Sequence, residues 1–232
     1  MIKPNFAPVW VKWAAGIAMI MTIASISFFS LMRNGSELIS LKTGTEANTL
    51  VQTLKDGSVI YLANNTTFTY PEQFSSRERK VSLEGEAFFD IYPNPSKPFL
   101  IETEKAIIEV LGTAFNVKSA KNDQFELTVE RGKVRVTLKS DPSQSTIVLP
   151  GEKITTTGNQ LHKAKTDNPL FAAWKKQRMQ FKDESLINII NVINKNYNSK
   201  IQLQSNGLNE RKLTVTFYNN SLETITKLIC LS

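Results

Sequence analysis

Between residues 49 and 165 the chain repeats one pattern, a short apolar or alternating segment followed by a turn signal, and this repetition constrains the fold more than any other feature. Strands are predicted at residues 50–54, 59–62, 66–70, 81–83, 87–91, 99–102, 106–111, 114–118, 125–129, 134–138, 146–149 and 153–155. Each carries the two-residue alternation, or the β-branched and aromatic enrichment, of a strand with one buried face. Asp56-Gly57, Asn64-Asn65, Glu84-Gly85, Asn94-Pro95, Lys121-Asn122-Asp123, Arg131-Gly132, Asp141-Pro142 and Pro150-Gly151 punctuate them. Each supplies a residue suited to a positive or preset φ. Helical periodicity is nearly absent here, so residues 49–165 are expected to form an all-β domain, a twisted β-solenoid, barrel or sandwich, rather than a parallel α/β sheet.

The texture changes at Thr166-Asp167-Asn168-Pro169, a polar, proline-marked stretch that suits a linker spanning 166–173. A small α+β module is predicted over 174–232. A strand at 178–181 is followed by a helix whose start has the N-cap chemistry of Asp183 to Ser185 and whose apolar face is Leu186, Ile189, Ile190 and Ile193. Asn196 to Asn198 closes that helix, strands follow at 200–204 and 213–217, and Ser221 opens a last helix carrying Leu222, Ile225, Leu228 and Ile229. The order is β-α-β-β-α, with one sheet position left unfilled.

Composition excludes several chemistries. The 232 residues are 41% hydrophobic, enough to build a real core. One histidine (His162) and one cysteine (Cys230) leave no disulfide pair and no zinc-ligand spacing. His162 has no companion acid or nucleophile nearby in sequence and reads as a strand residue. The net charge of +7 is scattered rather than gathered. Its densest groups, Arg77-Glu78-Arg79-Lys80 and Lys175-Lys176-Gln177-Arg178, lack the interleaved aromatics of a nucleic-acid surface and read as solvated faces. Glu84 and Glu86 share a strand face as a formal carboxylate pair, but the glycine between them reads as a corner residue. No phosphate-binding glycine loop is present.

From Trp13 to Met32 there is no charged residue, and the run is long enough to cross a ~30 Å hydrocarbon layer as one helix. Trp10 and Trp13 occupy the place of interfacial anchors, Phe28 and Phe29 continue the apolar run, and Lys3 and Lys12 precede it, which favours a cytoplasmic N-terminus. A single-pass inner-membrane protein with a short tail at 1–12, a juxtamembrane linker at 33–48 and its bulk in the periplasm is expected. The competing reading is a cleaved signal peptide with its cut near Ser25-Ile26-Ser27.

Six phrases then occur in a fixed order: Leu54-Lys55-Asp56-Gly57-Ser58-Val59-Ile60-Tyr61-Leu62; Val81-Ser82-Leu83-Glu84-Gly85-Glu86-Ala87-Phe88-Phe89-Asp90-Ile91; Lys97-Pro98-Phe99; Val110-Leu111-Gly112-Thr113-Ala114-Phe115-Asn116-Val117; Val129-Glu130-Arg131-Gly132-Lys133-Val134; and Leu149-Pro150-Gly151-Glu152. In these the chain resembles the FecR family of transmembrane anti-sigma regulators, in the form common in Bacteroidetes. The tail around Trp174, Phe181, Tyr197 and Phe217 resembles the short N-terminal domain of secretins and TonB-dependent receptors. The family-motif residues are Asp56, Gly57, Gly85, Glu86, Gly112, Thr113, Phe115, Asn116, Gly132, Pro150 and Gly151. Their physical reading is structural, with the glycines as corners or close-approach points.

The resemblance implies signal relay rather than catalysis: a ligand-loaded outer-membrane TonB-dependent transporter presents its periplasmic signalling domain, and an extracytoplasmic-function sigma factor is held or released. No catalytic residue, cofactor, metal or nucleic acid is expected. About a dozen residues precede the membrane run, fewer than the roughly 20 a side of even a small interface, so sigma binding is expected to fall to a separate or missing domain. Phe181, Leu213, Val215 and Phe217 are the candidate partner surface, with an incoming strand filling the vacant sheet position. The rival class is a membrane-anchored envelope glycan-binding protein or carboxylate-dependent hydrolase.

Overall fold

The computed structural model of the chain describes residues 19–25, 37–46, 48–119 and 125–231. Residues 1–37 and 38–232 form separate units. In the first, residues 19–25 are helical and expose Met19, Ile20, Met21 and Ile23. The rest of the 13–32 run, with Trp10, Trp13, Phe28 and Phe29, lies outside the described residues. Among the described residues no helix is long and apolar enough to cross a membrane.

The described residues of the second unit form fifteen strands. In chain order they are β1 (Leu38–Lys42), β2 (Thr49–Thr53), β3 (Val59–Leu62), β4 (Thr67–Pro71) and β5 (Arg79–Asp90). Then come β6 (Phe99–Glu102), β7 (Ala106–Val110), β8 (Ala114–Ser119), β9 (Phe125–Arg131) and β10 (Val134–Leu138). The last five are β11 (Ser145–Val148), β12 (Glu152–Thr157), β13 (Gln160–Lys165), β14 (Arg178–Ser185) and β15 (Lys212–Tyr218). Two helices, α1 (Leu186–Tyr197) and α2 (Leu222–Leu231), complete the unit.

One ladder runs β1-β4-β5-β6-β7-β10-β11 and the other β13-β12-β9-β8-β5-β3-β2-β14-β15, with β5 common to both. They wrap into a nearly closed, barrel-like body. Among the described residues only β5–β6 and β14–β2 pair in parallel. Stacked solenoid coils would pair in parallel throughout, so the sandwich-like expectation describes the body better. The main core lies between the two ladders and contains Ile60, Phe68, Leu83, Phe89, Phe99 and Phe115. Phe89 and Phe115 stack with centroids 5.4 Å apart. Alternation explains why these residues face inward: on β7, Ala106, Ile108 and Val110 are buried while Ile107 is exposed.

Gly85 does not turn the chain. The expected strands at 81–83 and 87–91 are one continuous strand, β5, whose first half pairs with β4 and β6 and whose second half pairs with β3 and β8. Gly85 is the point of transfer, with φ +112°. A Cβ there would lie 2.6 Å from Thr66 Oγ1 and 2.7 Å from Thr66 Cα, so the β4 end of the chain can approach only because the side chain is absent.

Two further segments differ from expectation. Residues 38–42, expected in a linker, form β1 and pair with β4 from Leu38↔Pro71 to Lys42↔Thr67. Residues 200–204, expected as a strand, pair with no strand. The Asn194 side chain takes the backbone of this segment instead: its Oδ1 accepts the Ile201 N–H (2.7 Å) and its Nδ2 donates to the Ile201 carbonyl (2.9 Å).

The C-terminal segment is continuous with the body. β14 adds to β2 through Met179↔Thr49 and Gln180↔Leu50. A second core joins Val51, Tyr61 and Phe88 on the outer face of that sheet to Phe181, Ile189 and Phe217 from the C-terminal segment.

Candidate docking surface and the seam beneath it

β14 and β15 form an antiparallel pair interrupted by a bulge between Phe181 and Glu184, where Asp183 takes φ +49°. The bulge carries the strand to the end of the expected 183–185 helix start, and α1 begins at Leu186 with Ser185, the last residue of that stretch, as its cap. Asn198 ends α1 in the left-handed conformation, φ +51°, as its residue type predicts. Leu186, Ile189, Ile190, Val192 and Ile193 form the buried side of α1.

The partner surface expected beside the vacant sheet position is corrected here. Phe181 and Phe217 are completely buried, 6.1 Å apart edge to face, and Leu213 and Val215 are partly buried against the same core. The four do share one face, but α1 and the body cover that face. What the segment offers outward is the far edge of β15, whose one described sheet neighbour is β14, together with Tyr218 and Leu231, 57% and 85% exposed. Arg178 lies over the Tyr218 ring at 5.6 Å. α2 buries Ile225 and leaves most of its surface open.

Beneath this surface a polar seam joins the C-terminal segment to the body. Asp90 of β5, 8% exposed, is paired with Arg131 of β9 (3.0 Å) and with Lys195 of α1. Asn196 donates to the Tyr61 hydroxyl (3.0 Å), and burial, only partly offset by that bond, pushes the phenol well above the usual tyrosine range. Glu184 accepts the Thr53 N–H (3.2 Å). Lys175, in the 3-10 turn Ala173–Lys176, places its ammonium 3.4 Å from the Phe88 ring centroid and 3.5 Å from Glu130. Burial holds that ammonium below the ordinary lysine range, and Glu130 opposes the shift.

Lys175 and Arg79 were both expected on solvated faces, and neither is there. Arg79 is 1% exposed: its Nη1 donates to Asp56 Oδ2 (2.7 Å) and the Tyr92 carbonyl (3.0 Å), and its Nε donates to the Lys97 carbonyl (2.9 Å). Asp56 in turn accepts the Ser58 N–H (3.0 Å) and Ser58 Oγ (2.8 Å). The Asp56-Gly57-Ser58 phrase is thus both a turn and the counter-charge of a buried guanidinium. The sequence signal for Arg79 was the β5 alternation Arg79, Val81, Leu83, which puts it on the core face.

The other motif residues are structural or line a cavity. Gly57, Gly132 and Gly151 sit in turns, and Pro150 is exposed beside Gly151. A Cβ on Gly112 would lie 2.6 Å from Pro93 Cα. Thr113 is buried with its hydroxyl unpartnered, and Phe115 is in the main core. Glu86 and Asn116 point to the outer face, where Asn116 Nδ2 donates to Glu86 Oε1 (2.8 Å) and Lys118 lies 3.5 Å from the same oxygen. His162 is exposed on β13, and among the described residues no group of acids, histidines and cysteines could hold a metal ion.

Residues 39–135 match the family model described as FecR protein, and residues 178–232 match the model described as FecR, C-terminal. A crystal structure at 2.50 Å of a candidate anti-sigma factor from Parabacteroides distasonis ATCC 8503 is 30% identical, covers 84% of this chain and 91% of its own, and superposes with a TM-score of 0.57. The chain belongs to the FecR family. A second crystal structure from that organism, also of a candidate anti-sigma factor and at 1.65 Å, agrees, with 30% identity, 83% and 91% coverage and a TM-score of 0.56. No curated protein matches the chain. FecR proteins are regulatory, and membership implies interaction with a sigma factor or a receptor. The start of the FecR match at residue 39 agrees with β1 belonging to the body.

Proposed function

We propose that this FecR-family chain is the periplasmic receiver of a cell-surface signalling relay, held in the inner membrane by a single helix over 13–32 with its N-terminus in the cytoplasm. Its partner is the periplasmic signalling domain of an outer-membrane TonB-dependent transporter, and its output is the activity of an extracytoplasmic-function sigma factor engaged on the cytoplasmic side. The observation that carries the reading is the match to both FecR domains in order along one chain. The open β15 edge supports it, because a strand edge with unpaired main-chain groups recruits a partner strand, and Tyr218 beside it supplies an aromatic anchor.

Deleting the gene and measuring transcription of the neighbouring transporter operon tests the relay. Loss of induction, or expression fixed at one level with and without inducer, is expected. Unaltered, still inducible transcription overturns the reading. Tyr218→Ala in the full chain should weaken capture of the transporter's signalling domain by about tenfold, the loss expected of an exposed aromatic anchor.

A further inference from the structure

On β15, Leu213, Val215 and Phe217 face the core shared with α1, and Thr214, Thr216 and Tyr218 face the other way. Phe217 is completely buried, but Leu213 and Val215, in the same row, are only partly buried. The apolar cover therefore stops short along the outer strand, where a further strand would extend it. The main chain is open on that side too. The Tyr218 N–H donates to Asn220 Oδ1 (2.7 Å) rather than to β14, so Tyr218 forms a non-hydrogen-bonded pair with Arg178. The two-residue alternation of an antiparallel ladder then turns the Thr216 N–H and carbonyl outward, where among the described residues no strand meets them.

Charge selects which strand belongs there. Residues 174–232 hold nine lysines and arginines against four acids, a net +5 of the chain's +7. Three of those acids are committed: Asp183 to Lys212 and Glu223 to Lys227, each at 2.7 Å, and Glu184, 8% exposed, to the Thr53 N–H. Among the described residues neither Arg178 nor Lys182 is paired with a carboxylate. Both alternate with Met179 and Phe181 on β14 and so stand on the face that carries Thr216 and Tyr218. The Arg178 guanidinium lies 5.6 Å from the centre of the Tyr218 ring, which carries its charge across to the edge strand. A second copy of this chain would set these cations against their own duplicates, so charge disfavours self-pairing through β15. We propose that the strand which completes the β15 edge is acidic and amphipathic: an extended partner segment whose carboxylates face Arg178, Lys182 and Tyr218 and whose alternate aliphatic residues cover Leu213 and Val215. This assignment rests on the reading of β15 as the docking edge and adds the chemistry of what docks there.

The full chain, purified in a non-ionic detergent, should be titrated with three fluorescently labelled, end-blocked decapeptides. One alternates glutamate with valine, the second alternates lysine with valine, and the third has the glutamates and valines of the first grouped in two blocks. The alternating glutamate peptide should bind with a Kd below about 1 mM, the weak range of a short flexible strand, and at least about tenfold more tightly than the other two. It should also slow amide hydrogen exchange over 212–218. The double variant Arg178→Glu, Lys182→Glu, whose changes are both at exposed positions, should weaken that peptide by about tenfold or more and turn the preference toward the lysine peptide. Thr216→Pro deletes the outward N–H and should weaken it as well; should that variant fail to fold, exchange over 212–218 in the wild-type chain decides strand addition instead. Equal binding of the grouped peptide reduces the effect to general charge attraction and overturns the inference. So does tighter binding of the lysine peptide, binding of none of the three, or exchange over 212–218 that the glutamate peptide leaves unchanged. Capture of the transporter's signalling domain that survives the double charge reversal keeps the relay and overturns the acidic strand. Binding of the glutamate peptide as expected, with transporter transcription indifferent to loss of the gene, keeps the acidic strand and overturns the relay.

Discussion

Replacing Gly85 with alanine tests the reading of β5 as one strand shared by two ladders. The added methyl would meet Thr66 Oγ1 at 2.6 Å, Thr66 Cα at 2.7 Å and the Asn65 carbonyl oxygen at 2.9 Å. Two of these three atoms are main chain, and the third is held by bonds to the Glu86 N–H and carbonyl, both 3.0 Å. Nothing there is the free end of a flexible side chain, so relief requires the β4 end to move away from β5. Holding an alanine at φ +112° costs about 1–3 kcal/mol, and the forced overlap about 1–3 more, for a loss of roughly 2–6 kcal/mol. For a unit of this size that lowers the thermal midpoint by on the order of 10 °C. Gly151→Ala is the internal control: its φ is +77° but nothing lies within 4 Å, so it should lose only the dihedral cost, about 1–2 kcal/mol. Urea unfolding of both variants, followed by far-UV circular dichroism, measures the difference. If Gly85→Ala proves no more damaging than Gly151→Ala, the close approach of Thr66 does not govern this position and the transfer-point argument fails.

Asp56→Ala removes the counter-charge of a guanidinium that is 1% exposed and should cost about 3–5 kcal/mol in urea unfolding, whereas breaking the exposed Lys55–Glu72 pair with Lys55→Ala should cost less than about 1 kcal/mol. Phe217→Ala should destabilise by about 3–5 kcal/mol and lower the whole unfolding transition rather than produce a separate early one, since its core is shared with the body. Lys175→Met should be neutral or stabilising by up to about 1 kcal/mol at pH 7, because an ammonium over Phe88 is exchanged for an apolar chain. The folded state depresses the Lys175 pKa, so the unfolded chain binds the extra proton at alkaline pH and wild-type stability rises between the folded value and about 10.4; the methionine variant should lack this rise in a pH series of thermal midpoints.

Much of the β body was legible because alternation is a local property. Strands at 99–102 and 134–138 lie where the pattern placed them, since each buries alternate residues, and the strand at 59–62 does too as a short apolar run buried on both faces. At Gly85 the close approach is there and the expected turn is not: glycine marks both, and only the long-range position of Thr66 distinguishes them. Residues 200–204 carry a strand-like pattern, but an amide one helical turn from the end of α1 satisfies the backbone first. Phe181 and Phe217 were expected to face a partner, but what covers them depends on β14 joining β2 across more than 120 residues of sequence, which no local pattern shows.

The parallel pairing of β14 with β2 sets an order on the birth of the molecule. Thr49 and Leu50 are made early, yet the strand they await ends at Ser185, and the helix that seals Val51, Tyr61 and Phe88 follows it. At about 5–20 residues per second, a ribosome leaves that greasy wall bare for several seconds after its own strands have emerged. Contacts so distant along the chain also form slowly once the chain is complete. A nascent copy therefore passes through a sticky stage that the finished protein never shows, and the cell must shield it until the last fifty residues arrive.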